Sequence, residues 1–246
     1  MIFNFAILFS YLFIILFSVL GYGLFFENLI FKKKIKLNLG YLGLLGLFFI
    51  IIYSYISHFF TAHNYLHNTF IILLGLIFTY NYLFKRNQQF WINILILIFL
   101  ILFISLLIYK THDDFPYYHF PYSYYLTQNS LLIGVGQFNH GFRTPSSLFY
   151  LNSIFYLPLI KFNSFYIATL LFMGFSNLIL INNIFYQFKE KKIDYIFYFS
   201  VLIFIFINIF FYRLQEHGTD RSAQILISIL FIEILYLIKY QKNLKK

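Results

Sequence analysis

The sequence predicts an all-α polytopic membrane protein, with about seven transmembrane helices and one or two interfacial helices in a long outer loop. Composition is the first reason: of 246 residues, 61% are hydrophobic, 25% aromatic and 11% charged, a balance foreign to water-exposed domains. The second is that the apolar runs approach the roughly 20 residues a spanning helix needs. They are also continuous rather than alternating, which argues against a β-barrel. The third is that lysines and arginines recur in clusters between alternate runs.

The runs lie at about Ile2–Phe26, Leu39–Ser57, Thr69–Phe84, Phe90–Tyr109, Ser164–Tyr186, Ile193–Tyr212 and Ser222–Ile238. The first has no basic leader and no small-residue cleavage site, so it reads as a retained helix. Lys32, Lys33, Lys34 and Lys36 follow it, and Lys85 and Arg86 follow the third run. Lys189, Lys191 and Lys192 follow the fifth, and Lys239, Lys242, Lys245 and Lys246 follow the last. If all four clusters are cytoplasmic, the positive-inside rule holds throughout. The expected setting is a bacterial inner (plasma) membrane, with the N-terminus outside and the C-terminus cytoplasmic. The net charge of +10 is then a topology signal and implies no nucleic-acid partner. With no cysteine in the chain, no disulfide framework is available.

This orientation sorts the titratable residues. His58, His63, His67, His112, His119, His140 and His217 all fall on the outer side, with Asp113, Asp114, Glu216 and Asp220. Glu27, Glu190, Asp194 and Glu233 fall at or near the inner side. The chain divides into an N-terminal three-helix region, residues 1–89, and a module, residues 90–246, whose outer loop is 110–163. Pro116 and Pro121 suit the first turn of a short helix running to about Asn129, with tyrosines fit for the headgroup layer. "LLIGVGQFNHG" reads as a turn-rich link, and its G-x-G lacks the strand–helix context of a nucleotide site. Thr144 as N-cap and Pro145 at the first helical position start a second helix, Thr144–Ile160, lying in the outer interface or entering part-way.

The acids of this loop begin at "DDFPYYHFP", and a short outer loop "RLQEHGTDR" follows two helices later. This layout, from about Phe90 to Ile238, resembles the GT-C class of membrane glycosyltransferases, such as protein O-mannosyltransferases and aminoarabinose transferases. The resemblance implies a polyprenyl-phosphate-linked sugar donor and a lipid, glycan or protein acceptor outside the cytoplasm. It places Asp113 and Asp114 where the family keeps a catalytic or metal-binding acid, and Glu216 and Asp220 where a second acidic site often lies. Three helices precede the module, and the family continues with further helices. The chain is therefore expected to be a fragment, a truncated frame, or one part of a two-chain enzyme with a second membrane chain as partner.

The residues support that chemistry directly. Glycosyl transfer needs a base for the acceptor hydroxyl and a cation for the departing phosphate. Asp114 or Asp113 can serve as base. Arg143, His217, Arg213 and Arg221 are outer cations for a phosphate, and His119 can orient a carboxylate or contact substrate. A divalent ion held by Asp113 or Asp114 with Glu216 or Asp220 would offset the repulsion of adjacent carboxylates. Oxygen ligands favour Mg²⁺, Mn²⁺ or Ca²⁺, and the nearby histidines leave Zn²⁺ open. Plainer readings stand beside these: one aspartate as a helix cap, His119 as an interfacial polar residue, and Arg143 as a snorkelling anchor. In "HFFTAHNYLH", the i, i+4 spacing of His63 and His67 would put both on one helix face for a metal, although no acidic or cysteine partner is near. The alternative function is a non-enzymatic transporter or assembly subunit with a polar outer face. A transporter should show paired broken helices near the midplane.

Overall fold

The computed structural model describes the backbone of residues 2–32, 36–83, 86, 88–108, 110–191 and 193–244. Lys33, Lys34, Lys85, Lys192, Lys242, Lys245 and Lys246 of the basic clusters lie outside the described residues or their side chains. Among the described residues the regular structure is entirely helical. The α-helices are α1 (Ile2–Phe31), α2 (Leu39–His58), α3 (Tyr65–Leu83), α4 (Gln89–Leu106), α5 (Phe120–Gln128), α6 (Ser147–Ile154), α7 (Ile167–Lys189), α8 (Tyr195–Phe210) and α9 (Asp220–Leu244). Six segments are long and apolar enough to cross a membrane: Phe5–Phe31, Leu39–His58, Tyr65–Leu83, Gln89–Leu106, Lys161–Lys189 and Asp220–Lys239. The chain is an integral membrane protein. Its outward helix faces fit that setting, with Phe70, Leu73 and Ile77 of α3 all more than half exposed.

α1 packs between α2 and α3, and α2 carries this group onto α7. α7 is enclosed by α2, α4, α6, α8 and α9, and one apolar cluster runs from Leu12 of α1 to Ile232 of α9. Small residues permit the closest approaches. Gly75 of α3 faces Ser18 and Tyr22 of α1, and Gly46 of α2 faces the Val19 backbone, as expected where helices are held by backbone proximity. Asn177 of α7 and Asn208 of α8 exchange amide hydrogen bonds of 3.1 and 2.7 Å, so neither apolar helix leaves an unpaired amide there.

The polar contacts gather at two poles. At one, Glu27 pairs with Arg86 and Asp194 with Lys239, while the Asn38 amide reaches Asn182 at 3.4 Å. At the other, the loops after α2, α4 and α8 meet. His63 N–H donates to Leu126 C=O (2.9 Å), Leu131 N–H to His58 C=O (3.0 Å), and His112 N–H to Gln215 C=O (3.3 Å). The histidine-bearing loops thus share one pole and the lysine-rich loops the other.

The segment expected to form a helix over Thr144–Ile160 differs. Ser146, not Thr144, is the N-cap, its hydroxyl accepting from Leu148 N–H at 3.3 Å, and α6 ends at Ile154. The chain then breaks at Pro158, with left-handed φ values of 69° at Leu159 and 45° at Lys161, a geometry incompatible with a continuous helix. α6 is also buried against α2, α5 and α7 rather than lying on a surface. Asn68 staples it in place. Its buried Nδ2 donates to the carbonyls of His63 (2.7 Å), Ser153 (2.7 Å) and Tyr156 (2.8 Å). Asn68→Leu should therefore lower stability by about 2 kcal/mol or more, because buried carbonyls lose their donors. The midpoint of thermal unfolding in detergent measures this.

Candidate functional site

The site is built by the turn that begins at Asp114. Pro116, without an N–H, sits in the first turn of a single π-turn, Phe115–His119, which runs directly into α5. The amides of Tyr117, Tyr118 and His119 all point to the Asp114 carbonyl, at 3.2, 3.1 and 3.4 Å. A π-turn returns the chain after five residues, and such turns are frequent at functional positions. Here Tyr118 and His119 come back over Asp114. The Tyr118 hydroxyl donates to Asp114 Oδ2 at 3.1 Å, and the His119 ring lies 5.1 Å from that of His112. Asp114 N–H donates to His112 Nδ1 at 3.1 Å, and Asp114 Oδ2 lies 3.9 Å from the same nitrogen. His112, Asp114 and His119 each offer a ligand atom, all within 4.8 Å of one another.

The two aspartates therefore part company. Asp114 faces the histidines. Asp113 is exposed and lines a polar cavity of about 320 Å³, together with Lys110, Glu216, Asp220, Arg221 and Gln224. The 212–220 loop forms the other wall. Gly218 adopts φ 52°, and a Cβ there would come 2.9 Å from the His112 ring, so the loop closes on His112 only through a glycine.

Glu216 is surrounded by cations: Lys110 Nζ at 3.0 Å, Arg221 at 3.3 Å and Arg213 at 3.8 Å. The Lys110 ammonium, with Arg221, holds its carboxyl below the usual range. Of the four carboxylates expected to share an ion, Glu216 is thus engaged by cations, and Asp220 accepts from Thr219 at 3.0 Å as the first residue of α9. Among the described residues the three-ligand group is His112, Asp114 and His119. Sequence reasoning missed His112. The signal was available in "HDDFPYYH", whose second histidine lies five residues past Asp114.

The expected substrate contacts also divide. His119 is buried as a member of the cluster; burial, then the neighbouring His112, lowers its pKa to about 4. Arg221 lines the polar cavity. Arg213 lies against Tyr212, its Nε donating to that hydroxyl at 2.8 Å. Arg143 is exposed and gives its Nε–H to the Gly136 carbonyl at 3.0 Å. His217 is buried, its Nε2 2.6 Å from the Phe211 carbonyl, an arrangement that holds the 211–217 loop. The 58–67 histidines do not form a metal face. Asn64 caps α3, its side chain accepting from Leu66 and His67 N–H, so His63 precedes the helix. Both its nitrogens contact serines, Ser57 Oγ at 3.0 Å and Ser153 Oγ at 2.7 Å.

Two of these buried imidazoles make stability depend on pH. Burial first, then His58 and His67, lowers the His63 pKa to about 3, and burial lowers that of His217 to about 4. Both lie below the ordinary value near 6.5, so the unfolded chain takes up protons first on acidification. Stability is full above about pH 6.5 and falls as pH drops toward the folded values. Between pH 7 and 5 each should cost about 2 kcal/mol, read as a falling thermal midpoint. The slope should shrink in His63→Gln.

An apolar groove of about 790 Å³ is walled by Phe5, Leu8, Leu106, Phe115, Ile160 and Tyr166, with Thr111 and Gln215 also on its lining. Fold and site together define an integral membrane protein with a polar chamber at the histidine-bearing pole and an apolar groove beside it. The chain belongs to the family described as a domain of unknown function (DUF8201), whose model matches residues 5–246. No curated protein and no solved structure matches it.

Proposed function

We propose that the chain is a membrane glycosyltransferase, or part of one, moving a sugar from a polyprenyl-phosphate donor to an acceptor outside the cytoplasm. The observation that carries this reading is adjacency. Successive residues line the two spaces, Thr111 and Gln215 the apolar groove and His112 and Glu216 the polar cavity. A lipid-linked sugar phosphate needs such a pair, with the isoprenoid in the groove and the headgroup among charges.

In this reading Asp113, free of a polar partner among the described residues, takes the acceptor hydroxyl proton. The acceptor oxygen bonds to the sugar's anomeric carbon as the bond to the phosphate oxygen breaks. Lys110 and Arg221, held in place by Glu216, meet the charge left on the polyprenyl phosphate. A transporter would place its polar groups in broken helices near mid-membrane, whereas this site lies at the end of the bundle.

The membrane arrangement belongs to the same proposal. α8 has 16 residues, about 24 Å at 1.5 Å per residue, and serves as the seventh span with its flanking residues in the headgroup layer. The lysine-rich pole faces the cytoplasm. Two measurements test the reading. Cysteines introduced singly at Asp113 and Lys161 should both react with an impermeant reagent from outside, and reaction only after permeabilisation would reverse the orientation. Membranes containing the full gene product should incorporate labelled sugar from a polyprenyl-phosphate donor, and incorporation equal to that of membranes lacking it would refute the activity.

A further inference from the structure

We propose that His112, Asp114 and His119 bind a divalent cation of the Zn²⁺ type, at a site that shares only Asp114 with the carboxylate set expected from the sequence. The site deepens the transferase reading but does not depend on it for binding. The donor set decides the class of ion. Two imidazoles and one carboxylate suit Zn²⁺ and its first-row neighbours, while Mg²⁺ and Ca²⁺ favour oxygen alone.

The geometry is close to what such an ion needs. The three ligand atoms lie within 4.8 Å of one another. Atoms bound tetrahedrally to Zn²⁺ at about 2.0–2.2 Å lie roughly 3.3–3.6 Å apart, so side-chain movements of about 1–1.5 Å complete the set. The π-turn supplies the arrangement, because His119 returns over Asp114 through backbone hydrogen bonds rather than by side-chain chance. Tyr118 adds the outer contact that metal-binding carboxylates usually have, donating to Asp114 Oδ2 at 3.1 Å.

A second observation is independent of that spacing. His112 and His119 line a cavity of about 20 Å³ with Asn152. Among the described residues, His119 Nε2 and Asn152 Oδ1, of two residues that line it, are buried without a hydrogen-bond partner, in residues 5% and 4% exposed. Buried polar atoms are seldom left unpaired. The space is the size of one water molecule and borders the two histidines of the set, with Asp114 outside its lining. Three protein ligands also leave a coordination position open, as in catalytic rather than structural zinc sites.

The test uses the full chain in detergent, without a polyhistidine tag, stripped by chelator and titrated with Zn²⁺ or Co²⁺. One ion per chain is expected after gel filtration, with Co²⁺ giving visible absorption bands and Zn²⁺ raising the thermal midpoint. Asp114→Asn, at a side chain about half exposed, should weaken binding tenfold or more without altering the metal-free midpoint, and Tyr118→Phe should weaken it about tenfold. Glu216→Gln and His67→Asn should bind as the parent does. Stoichiometric Zn²⁺ binding by a chain that transfers no sugar would support the metal site while removing the transferase reading. Failure of the parent to bind, undiminished binding by the Asp114→Asn/His112→Asn double variant, or tighter binding of Mg²⁺ or Ca²⁺ than of Zn²⁺ would overturn the proposal.

Discussion

Asp113→Asn should lower sugar transfer about 10²–10⁴-fold, the range that loss of a general base produces, while leaving the amount of folded chain in the membrane unchanged. Asp113 is exposed, lines the polar cavity and makes no hydrogen bond or ion pair among the described residues. Its removal therefore breaks nothing that holds the fold. The loss should appear in kcat more than in KM, because a base acts on the proton in flight rather than on donor binding. Asp114→Asn should also be severe, for a different reason. It removes an oxygen from the histidine cluster and the acceptor of the Tyr118 hydroxyl. Excess Zn²⁺ should partly rescue Asp114→Asn and leave Asp113→Asn unchanged, a contrast that separates the base from the ligand.

Glu27→Ala should be the most destabilising single change at the lysine-rich pole, by about 3–5 kcal/mol, as when one member of a buried ion pair is removed. Glu27 is 3% exposed and its partner Arg86 10%. Glu27 Oε1 accepts from Leu37 N–H at 2.6 Å, and Arg86 Nη1 donates to Leu37 C=O at 3.2 Å. One carboxylate thus ties the end of α1 to the segment before α2 and to the connection between α3 and α4. Removing it strands a guanidinium in a low-dielectric setting. The Glu27→Leu/Arg86→Met double variant should recover much of the loss, since an apolar pair carries no desolvation cost. Unfolding of reconstituted chain in a mixed-detergent titration measures both, and a double variant less stable than Glu27→Ala would refute this account.

The long apolar runs and the two poles were legible because hydropathy and lysine placement act over many residues. Asp194 as a cap and Lys239 as its partner follow from the same end-of-helix logic. The segment after Arg143 was not legible. Thr144-Pro145 carries a sound start signal, but Ser146 competes for the same role, and the left-handed residues at 159 and 161 have no glycine to announce them. The cluster around Asp114 was half legible. Adjacent aspartates drew attention to the right turn, yet helical spacing of 3.6 residues does not bring position 119 back to 114. Only the π-turn does. Likewise His63 and His67 fit a helix face in sequence, and the Asn64 cap moved His63 off it.

The central claim is that lipid-linked donor is consumed at the Asp113 cavity. Its most direct measurement is release of polyprenyl phosphate from labelled polyprenyl-phosphate sugar by the full gene product in liposomes, with acceptor-containing membrane extract. The account predicts release by the parent chain and release at background by the Asp113→Asn/Asp114→Asn double variant, both present in equal amounts. Equal release by the two chains would contradict it.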